Sequence, residues 1–130
     1  MKLVALLTSL SLLTTACAGD ETVARYGAAD RVWTLKEFNG MPFEWPATLI
    51  FSKRGKLSGA TPCNTFEADN LAPYPWFEAK NMQITARSCT EVHAEAAYLR
   101  ALSLAEFSEV LDDTLMLTAP GIELVFKADE

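Results

Sequence analysis

The C-terminal part of the sequence predicts a β-hairpin. TLMLT (114–118) and IELVF (122–126) are two β-rich runs joined by Ala-Pro-Gly. Alternation along such runs places every second side chain on one face, and the Pro-Gly turn reverses the chain. This hairpin is the clearest in the sequence, and it favours a mostly antiparallel β fold.

Shorter segments upstream also predict strands. They are RVWTLKEF (31–38), ATLIF (47–51), LSG (57–59) and MQIT (82–85). In the first of them, Trp33 and Leu35 share one face, and the NGMP that follows forms a turn. Between residues 64 and 79, two prolines exclude a central strand, so Trp76-Phe77 can begin only an edge strand.

Residues 88–105 predict the one main helix. Ser88 to Glu91 matches the S-x-x-E capping box, and an Ala-rich stretch follows to about Ala105. The side chains expected on its buried side are Ala94, Tyr98, Ala101, Leu102 and Ala105. The order of strands, one helix and strands predicts an α+β domain, in which the helix packs against a mostly antiparallel, barrel-like sheet.

Residues 1–16 predict a signal peptide of the lipoprotein type. A positive residue precedes an apolar run (3–13) that is too short to cross a hydrocarbon core about 30 Å thick as a helix. LTTAC (13–17) resembles the lipobox of bacterial lipoproteins, in which the cysteine, here Cys17, is lipidated. Alternatively, an ordinary signal peptidase recognises Ala-Cys-Ala (16–18) and releases a soluble periplasmic protein.

The remaining chain has the size of one domain. Residues 17–30 are small, charged and aperiodic, so they are expected to form a flexible tether before a folded domain at 31–130. The net charge is −6 at pH 7 without a basic cluster, which argues against a nucleic-acid partner. The expected partners are the membrane, through the lipid anchor, and an envelope protein. The expected location is the outer membrane, on its periplasmic side.

Cys63 has three interpretations. It lies in GATPCNTF (59–66), and secretion implies an oxidising compartment in which Cys63 and Cys89 pair by default. A Cys-His-Asn hydrolase made from Cys63, His93 and Asn64 needs a reduced thiolate, which secretion opposes. A metal site made from both cysteines and His93 lacks a second histidine and needs an acidic residue to complete it. The disulfide is favoured, so no catalytic residue, metal or cofactor is expected.

The stiff aromatic segment PYPWF (73–77) is a candidate contact surface. Tyr74, Trp76 and Phe77 offer rings to a partner peptide, glycan or lipid, but the same rings can instead cap the open end of the sheet core. The acidic cluster at 106–113 is expected to be a solvated face and not a Ca²⁺ site, because its spacing matches no loop motif.

The motifs occur in an order that resembles one protein family. They are W-x-L…N-G-x-P (33–42), Gly59, the pair Cys63-Asn64 with Phe66, T-x-x-x-C (85–89), E-x-x-Y-L-x-x-L (95–102), and the hairpin leucines Leu115, Leu117 and Leu124 with Phe126. From about Val32 to Phe126 the chain resembles the META-domain family, which includes the HslJ-type heat-inducible envelope proteins of bacteria. Pro62 stands where family members usually carry glycine.

The resemblance implies a small β-rich domain with one helix, often secreted or lipid-anchored, without a catalytic site. The expected function is that of a non-enzymatic META-domain lipoprotein of the cell envelope, an accessory or stress-related interaction module. One alternative is a periplasmic protein that binds a small apolar ligand or lipid. A cysteine-dependent hydrolase is the less favoured alternative.

Overall fold

The computed structural model describes residues 19–52 and 55–129. The predicted signal peptide (1–16) and Cys17 lie outside these residues. The described residues form nine strands: β1 (Val32–Phe38), β2 (Met41–Pro42), β3 (Thr48–Ser52), β4 (Lys56–Ala60), β5 (Thr65–Asp69), β6 (Lys80–Ile84), β7 (Phe107–Leu111), β8 (Thr114–Ala119) and β9 (Ile122–Ala128). The helices are a 3-10 helix (Val23–Tyr26) and α1 (Val92–Leu104). Neither described helix has the length and apolar character needed to cross a membrane.

The strands form one curled antiparallel sheet, a half-barrel with α1 packed against it. Eight of them follow the order β6-β5-β4-β3-β1-β9-β8-β7, and β2 pairs only with β1. The predicted α+β fold with a barrel-like antiparallel sheet and one main helix is therefore confirmed. The first strand lies in the middle of the sheet, between β3 and β9.

The inner face of the sheet forms the core, as strand alternation predicts. Trp33 and Leu35 of β1 are buried on this face, and the predicted C-terminal hairpin contributes Leu115, Leu117 and Phe126. The Trp33 indole N–H donates a 2.9 Å hydrogen bond to the carbonyl oxygen of Ala28. Large apolar side chains, with Trp33 among them, therefore fill the interior of the half-barrel.

The helix begins later than the capping box predicts. It starts at Val92, and its N-cap residue, Glu91, makes no side-chain capping bond. The backbone N–H of Glu91 instead donates to the Cys89 sulfur at 3.3 Å. The prediction of a Ser88 cap is therefore wrong, because the segment before Val92 is held by non-helical contacts to the loop after β4. The predicted buried side is confirmed for Tyr98, Ala101, Leu102 and Ala105.

The tether prediction is wrong for the second half of residues 17–30. Val23, Ala24 and Ala28 are buried members of the core, and Ala29 forms a parallel bridge with Phe51. Part of this segment contacts β7, and the carbonyl oxygen of Ala28 accepts the Trp33 indole hydrogen bond. The ordered domain therefore begins near Thr22 and not at residue 31.

The two-residue strand β2 lies in the predicted NGMP turn. Two longer strands, β5 and β7, also have no counterpart in the prediction. β5 lies in the stretch where two prolines discouraged a strand, although both prolines come after its last residue, Asp69. β7 lies in the acidic cluster, where Ser108 is buried while Glu109 points outward. Both strands are held by long-range partners, which local alternation does not reveal.

Tyr98 provides a prediction about stability and pH. Its ring is fully buried, and its hydroxyl has no hydrogen-bond partner within residues 19–52 and 55–129. Burial raises the pKa of the Tyr98 phenol above its ordinary value of 10.0. Since an unpaired buried hydroxyl costs about 1–3 kcal/mol, Tyr98→Phe is expected to raise the free energy of unfolding by roughly 1 kcal/mol.

The pH dependence of this variant provides a second readout. Above pH 10.0 the unfolded tyrosine loses its proton while the folded Tyr98 keeps it, so folding stability falls as pH rises through this range. Urea unfolding at pH about 8 and about 10.5 should show a smaller alkaline loss for Tyr98→Phe than for the parent. The matched control is Tyr26→Phe, because Tyr26 is 53% exposed. A less stable Tyr98→Phe, or an alkaline loss equal to that of the parent, contradicts this account.

Candidate functional site

A disulfide joins Cys63 to Cys89, as the cysteine count predicts. Their Cα atoms are 5.6 Å apart, with a sequence separation of 26. The bond connects the loop after β4 to the loop that precedes α1. A sulfur in a disulfide carries no thiolate, so in this form Cys63 lacks the nucleophile that a Cys-His-Asn hydrolase requires.

Asn64 connects the same two loops through hydrogen bonds. Its Oδ1 accepts from the Arg87 backbone N–H at 2.6 Å and from the Thr85 hydroxyl at 2.9 Å. Its Nδ2 donates to Glu95 Oε1 at 3.0 Å, and its backbone N–H donates to Thr61 Oγ1 at 2.8 Å. These contacts cross between the two disulfide-linked loops, so Asn64 orients structure there and does not orient His93.

His93 does not belong to this cluster. It is exposed, and it follows the helix start, whereas Cys89 precedes it. Their i, i+4 spacing therefore does not place them on one helical face, which removes the basis for the Cys-Cys-His metal interpretation. Among the described residues, the group whose ligand atoms lie within 4.8 Å of one another is Cys63, Cys89 and Glu95.

Glu95 is a buried carboxyl group that sequence reasoning missed as a site residue. Only 7% of it is exposed. Its Oε1 accepts hydrogen bonds from the Thr61 hydroxyl at 2.8 Å and from Asn64 at 3.0 Å. Its Oε2 is buried and has no partner within the described part of the chain. The sequence did contain a signal for this burial. Glu95, Tyr98 and Leu102 are spaced so that they fall on the same side of a helix.

The aromatic segment 73–77 lies along the edge of the sheet. The Phe77 N–H donates to the Glu106 carbonyl at 2.8 Å, and the Ser108 N–H donates to the Pro75 carbonyl at 2.7 Å. Trp76 thereby forms an antiparallel bridge with Phe107 of β7. These backbone bonds fix the position of the segment against the sheet.

The three rings that were predicted as a contact surface have different environments. Phe77 is buried, and its ring centroid lies 6.4 Å from that of Phe51, so this ring caps the core. Tyr74 is half-buried and stacks on Tyr26 with a centroid distance of 4.7 Å. Trp76 is 52% exposed and packs on Phe107 at 4.8 Å. Trp76 is therefore the ring that the surface presents to solvent.

Two grooves border the Trp76–Phe107 pair. The first has a volume of about 540 Å³, and its lining includes Pro73, Trp76, Leu104, Glu78 and Glu106. The second, of about 340 Å³, is lined by Tyr74, Pro75, Phe107, Ser108, Glu109, Met116 and Thr118. We call the two grooves and the ring pair between them the aromatic surface.

The aromatic surface is acidic at its rim. Its lining includes three glutamates and, among the described residues, neither lysine nor arginine. Glu78 is paired with Lys80 at 3.2 Å, whereas Glu106 and Glu109 form no salt bridge within residues 19–52 and 55–129. Two carboxylates at the rim are therefore without a cation from the described chain.

Comparison with known proteins relates the chain to one family and to several solved structures. The model of the META domain matches residues 27–130. An NMR structure of a protein from Burkholderia xenovorans is 21% identical, covers 88% of this chain and 93% of that chain, and has a TM-score of 0.66. The crystal structure of a DUF4847 family protein from Bacteroides vulgatus is 16% identical, covers 80% and 96%, and has a TM-score of 0.62. At these identities the solved structures show a common fold, and no curated protein matches the chain.

Proposed function

Since this chain belongs to the META domain family, we propose that it is a non-enzymatic interaction module of the bacterial cell envelope, which binds a partner protein at the aromatic surface. The observation that carries the proposal is Trp76, a tryptophan left 52% exposed beside a 38% exposed phenylalanine, Phe107. Clustered apolar side chains of this size at a surface are typical of interaction sites.

The rigidity of segment 73–77 supports the interpretation of Trp76 as a binding residue and not as an incidentally exposed side chain. The bonds from Phe77 to Glu106 and from Ser108 to Pro75 hold Trp76 against β7 before any partner arrives. A side chain that is already ordered loses less conformational entropy on binding. Tryptophan residues held in this way are common among the few that contribute most of the free energy of an interface.

The charge of the rim indicates the chemistry of the partner. Glu106 and Glu109 lie beside apolar grooves and have no described cation to neutralise them. A segment that places an aliphatic or aromatic side chain between lysines or arginines complements both properties. A second copy of this chain fits poorly, because its net charge is −6 at pH 7.

The packing of the interior offers no support for the alternative of an apolar ligand inside the half-barrel. Trp33, Tyr98 and Phe126 are all 0% exposed and fill the concave side together with smaller apolar side chains. Such an interior needs repacking before it can admit a lipid tail. The surface grooves are therefore the better candidates for binding.

The envelope part of the proposal includes lipidation of Cys17. Because the ordered domain begins near Thr22, such an anchor leaves residues 18–21 as a connection, about 15 Å at full extension. The domain would therefore remain next to the membrane. Intact-mass measurement of the envelope-purified protein tests this point, since a species that begins at Gly19 contradicts lipidation.

Trp76→Ala is expected to abolish partner contact with little change in folding stability, because the side chain is half exposed. A photo-crosslinking amino acid replaces Leu104, which lines the first groove and is 45% exposed. In cells, this position should give a discrete crosslinked species, and adding Trp76→Ala should remove it.

The matched control carries the photo-crosslinking residue at Met41, which is 68% exposed and lines neither groove. It should give no such species. Urea unfolding of Trp76→Ala should stay within about 1 kcal/mol of the parent. A crosslink from position 104 that persists without Trp76, or an equal crosslink from position 41, contradicts the proposed surface.

A further inference from the structure

We propose that Cys63, Cys89 and Glu95 form a zinc-binding site when the disulfide is reduced. The ligand atoms of these three residues all lie within 4.8 Å of one another. They come from three separate places in the fold: the loop after β4, the loop before α1, and α1 itself. This site does not depend on the aromatic surface, and its test is independent of the proposed function.

The carboxyl group of Glu95 is the feature that points to a cation. Its Oε1 already accepts two hydrogen bonds, from Thr61 and Asn64, which fix the orientation of the group. Its Oε2 is buried and has no partner within residues 19–52 and 55–129. A buried polar atom without a partner is costly, and coordination of a metal ion satisfies it. Thr61 and Asn64 would then act as the outer residues that orient a metal ligand.

The two sulfurs become ligands only after reduction. A dithiol reductant transfers two electrons and two protons, which breaks the Cys63–Cys89 bond and leaves two thiols while the reductant becomes a disulfide. Zn²⁺ then displaces one proton from each thiol and forms two Zn–S bonds of about 2.3 Å. Side-chain rotation can supply the required separation of the sulfurs, because the Cα atoms are 5.6 Å apart.

The donor set selects the class of metal. Two thiolates favour zinc over the hard cations Ca²⁺ and Mg²⁺, which prefer oxygen ligands. Two sulfurs and one carboxylate oxygen provide three ligands of a tetrahedral zinc, and the fourth position is left for water or an exogenous ligand. The structure therefore indicates a zinc site that is available only when the two cysteines are reduced.

The first experiment compares the oxidised and the reduced mature protein. After reduction with a phosphine under exclusion of oxygen, the protein should bind one equivalent of Co²⁺. Absorption bands of tetrahedral cobalt–thiolate coordination should appear and then disappear when Zn²⁺ is added. The oxidised protein should bind neither ion. A reduced protein that shows no stoichiometric binding overturns the proposal.

Glu95→Gln tests the third ligand. Glutamine retains an oxygen that can accept from Thr61 and Asn64, but an amide NH₂ replaces the free oxygen. The affinity of the reduced protein for Zn²⁺ should fall at least tenfold. The matched control is Glu91→Gln, because Glu91 is also acidic and its N–H contacts the Cys89 sulfur, yet it lies outside the group of three. Unchanged affinity in Glu95→Gln, or the loss appearing in Glu91→Gln instead, overturns the proposal.

Far-UV circular dichroism shows whether each reduced protein remains folded. If reduction unfolds the parent, Zn²⁺ should restore the folded signal in the parent and fail to restore it in Glu95→Gln. Recovery in neither protein, or equal recovery in both, contradicts the site. Each outcome therefore supports or overturns the role of Glu95.

Discussion

Replacing Cys63 with serine is expected to lower the free energy of unfolding by about 3.5 kcal/mol. The Cys63–Cys89 bond closes a loop with a sequence separation of 26, which restricts the unfolded chain far more than the folded one. A domain of this size has a total stability of roughly 5–15 kcal/mol, so the variant loses a large part of it.

Cys89→Ser should lose the same amount, because either substitution breaks the same bond. Urea unfolding of both variants and of Cys63→Ser/Cys89→Ser, with a metal chelator present, measures this. The double variant should be no less stable than the single ones, since the bond can be lost only once. Single variants that differ by more than about 1 kcal/mol, or losses that add in the double variant, contradict a shared bond.

Gly59→Ala is expected to destabilise the sheet by about 3 kcal/mol or more. A Cβ atom at position 59 would lie 1.8 Å from the carbonyl oxygen of Thr48 and 2.8 Å from its carbonyl carbon. Both are backbone atoms of the neighbouring strand β3, which cannot move away as a flexible side chain can. The substitution therefore forces β3 and β4 apart, close to where the loop of Cys63 begins.

Gly121→Ala is the matched control for this effect. Gly121 has a φ of +75°, but a Cβ there meets nothing within 4 Å. Gly121→Ala should therefore lower the free energy of unfolding only by the cost of placing a side chain on a left-handed backbone, about 1–2 kcal/mol. Thermal and urea unfolding should therefore rank Gly59→Ala well below Gly121→Ala in stability. An equal or reversed order shows that close packing at Gly59 is not what requires glycine.

The parts of the fold that local patterns encode were predictable. The C-terminal hairpin and the buried face of β1 follow from alternation over a few residues, and the fold class follows from the order of elements. β7 was not predictable in this way, because its inward residues, Ser108 and Val110, include only one apolar side chain, while the apolar Phe107 and Leu111 face outward with Glu109. Its pairing with β8 and with Pro75 in the aromatic segment determines its state as a strand.

In the candidate sites, too, some features follow from the local sequence and others depend on partners that are distant in sequence. Pairing of Cys63 with Cys89 follows from the cysteine count and from the oxidising compartment that the predicted signal peptide implies. The burial of Glu95 does not, because its partners Thr61 and Asn64 are 34 and 31 residues away in sequence. Likewise, the composition of PYPWF indicates aromatic contacts, but only the bonds to β7 decide that Trp76 faces outward and Phe77 inward.

The position of β1 between β3 and β9 has a consequence for the order in which the chain can fold. Synthesis proceeds from the N-terminus, so β1 lacks one neighbour until Ile122–Ala128, its last partner, has emerged. Until then the nascent half-sheet keeps an open edge that can associate with other chains. Cys63 and Cys89 both precede β9, so their cross-link can form before the sheet is complete.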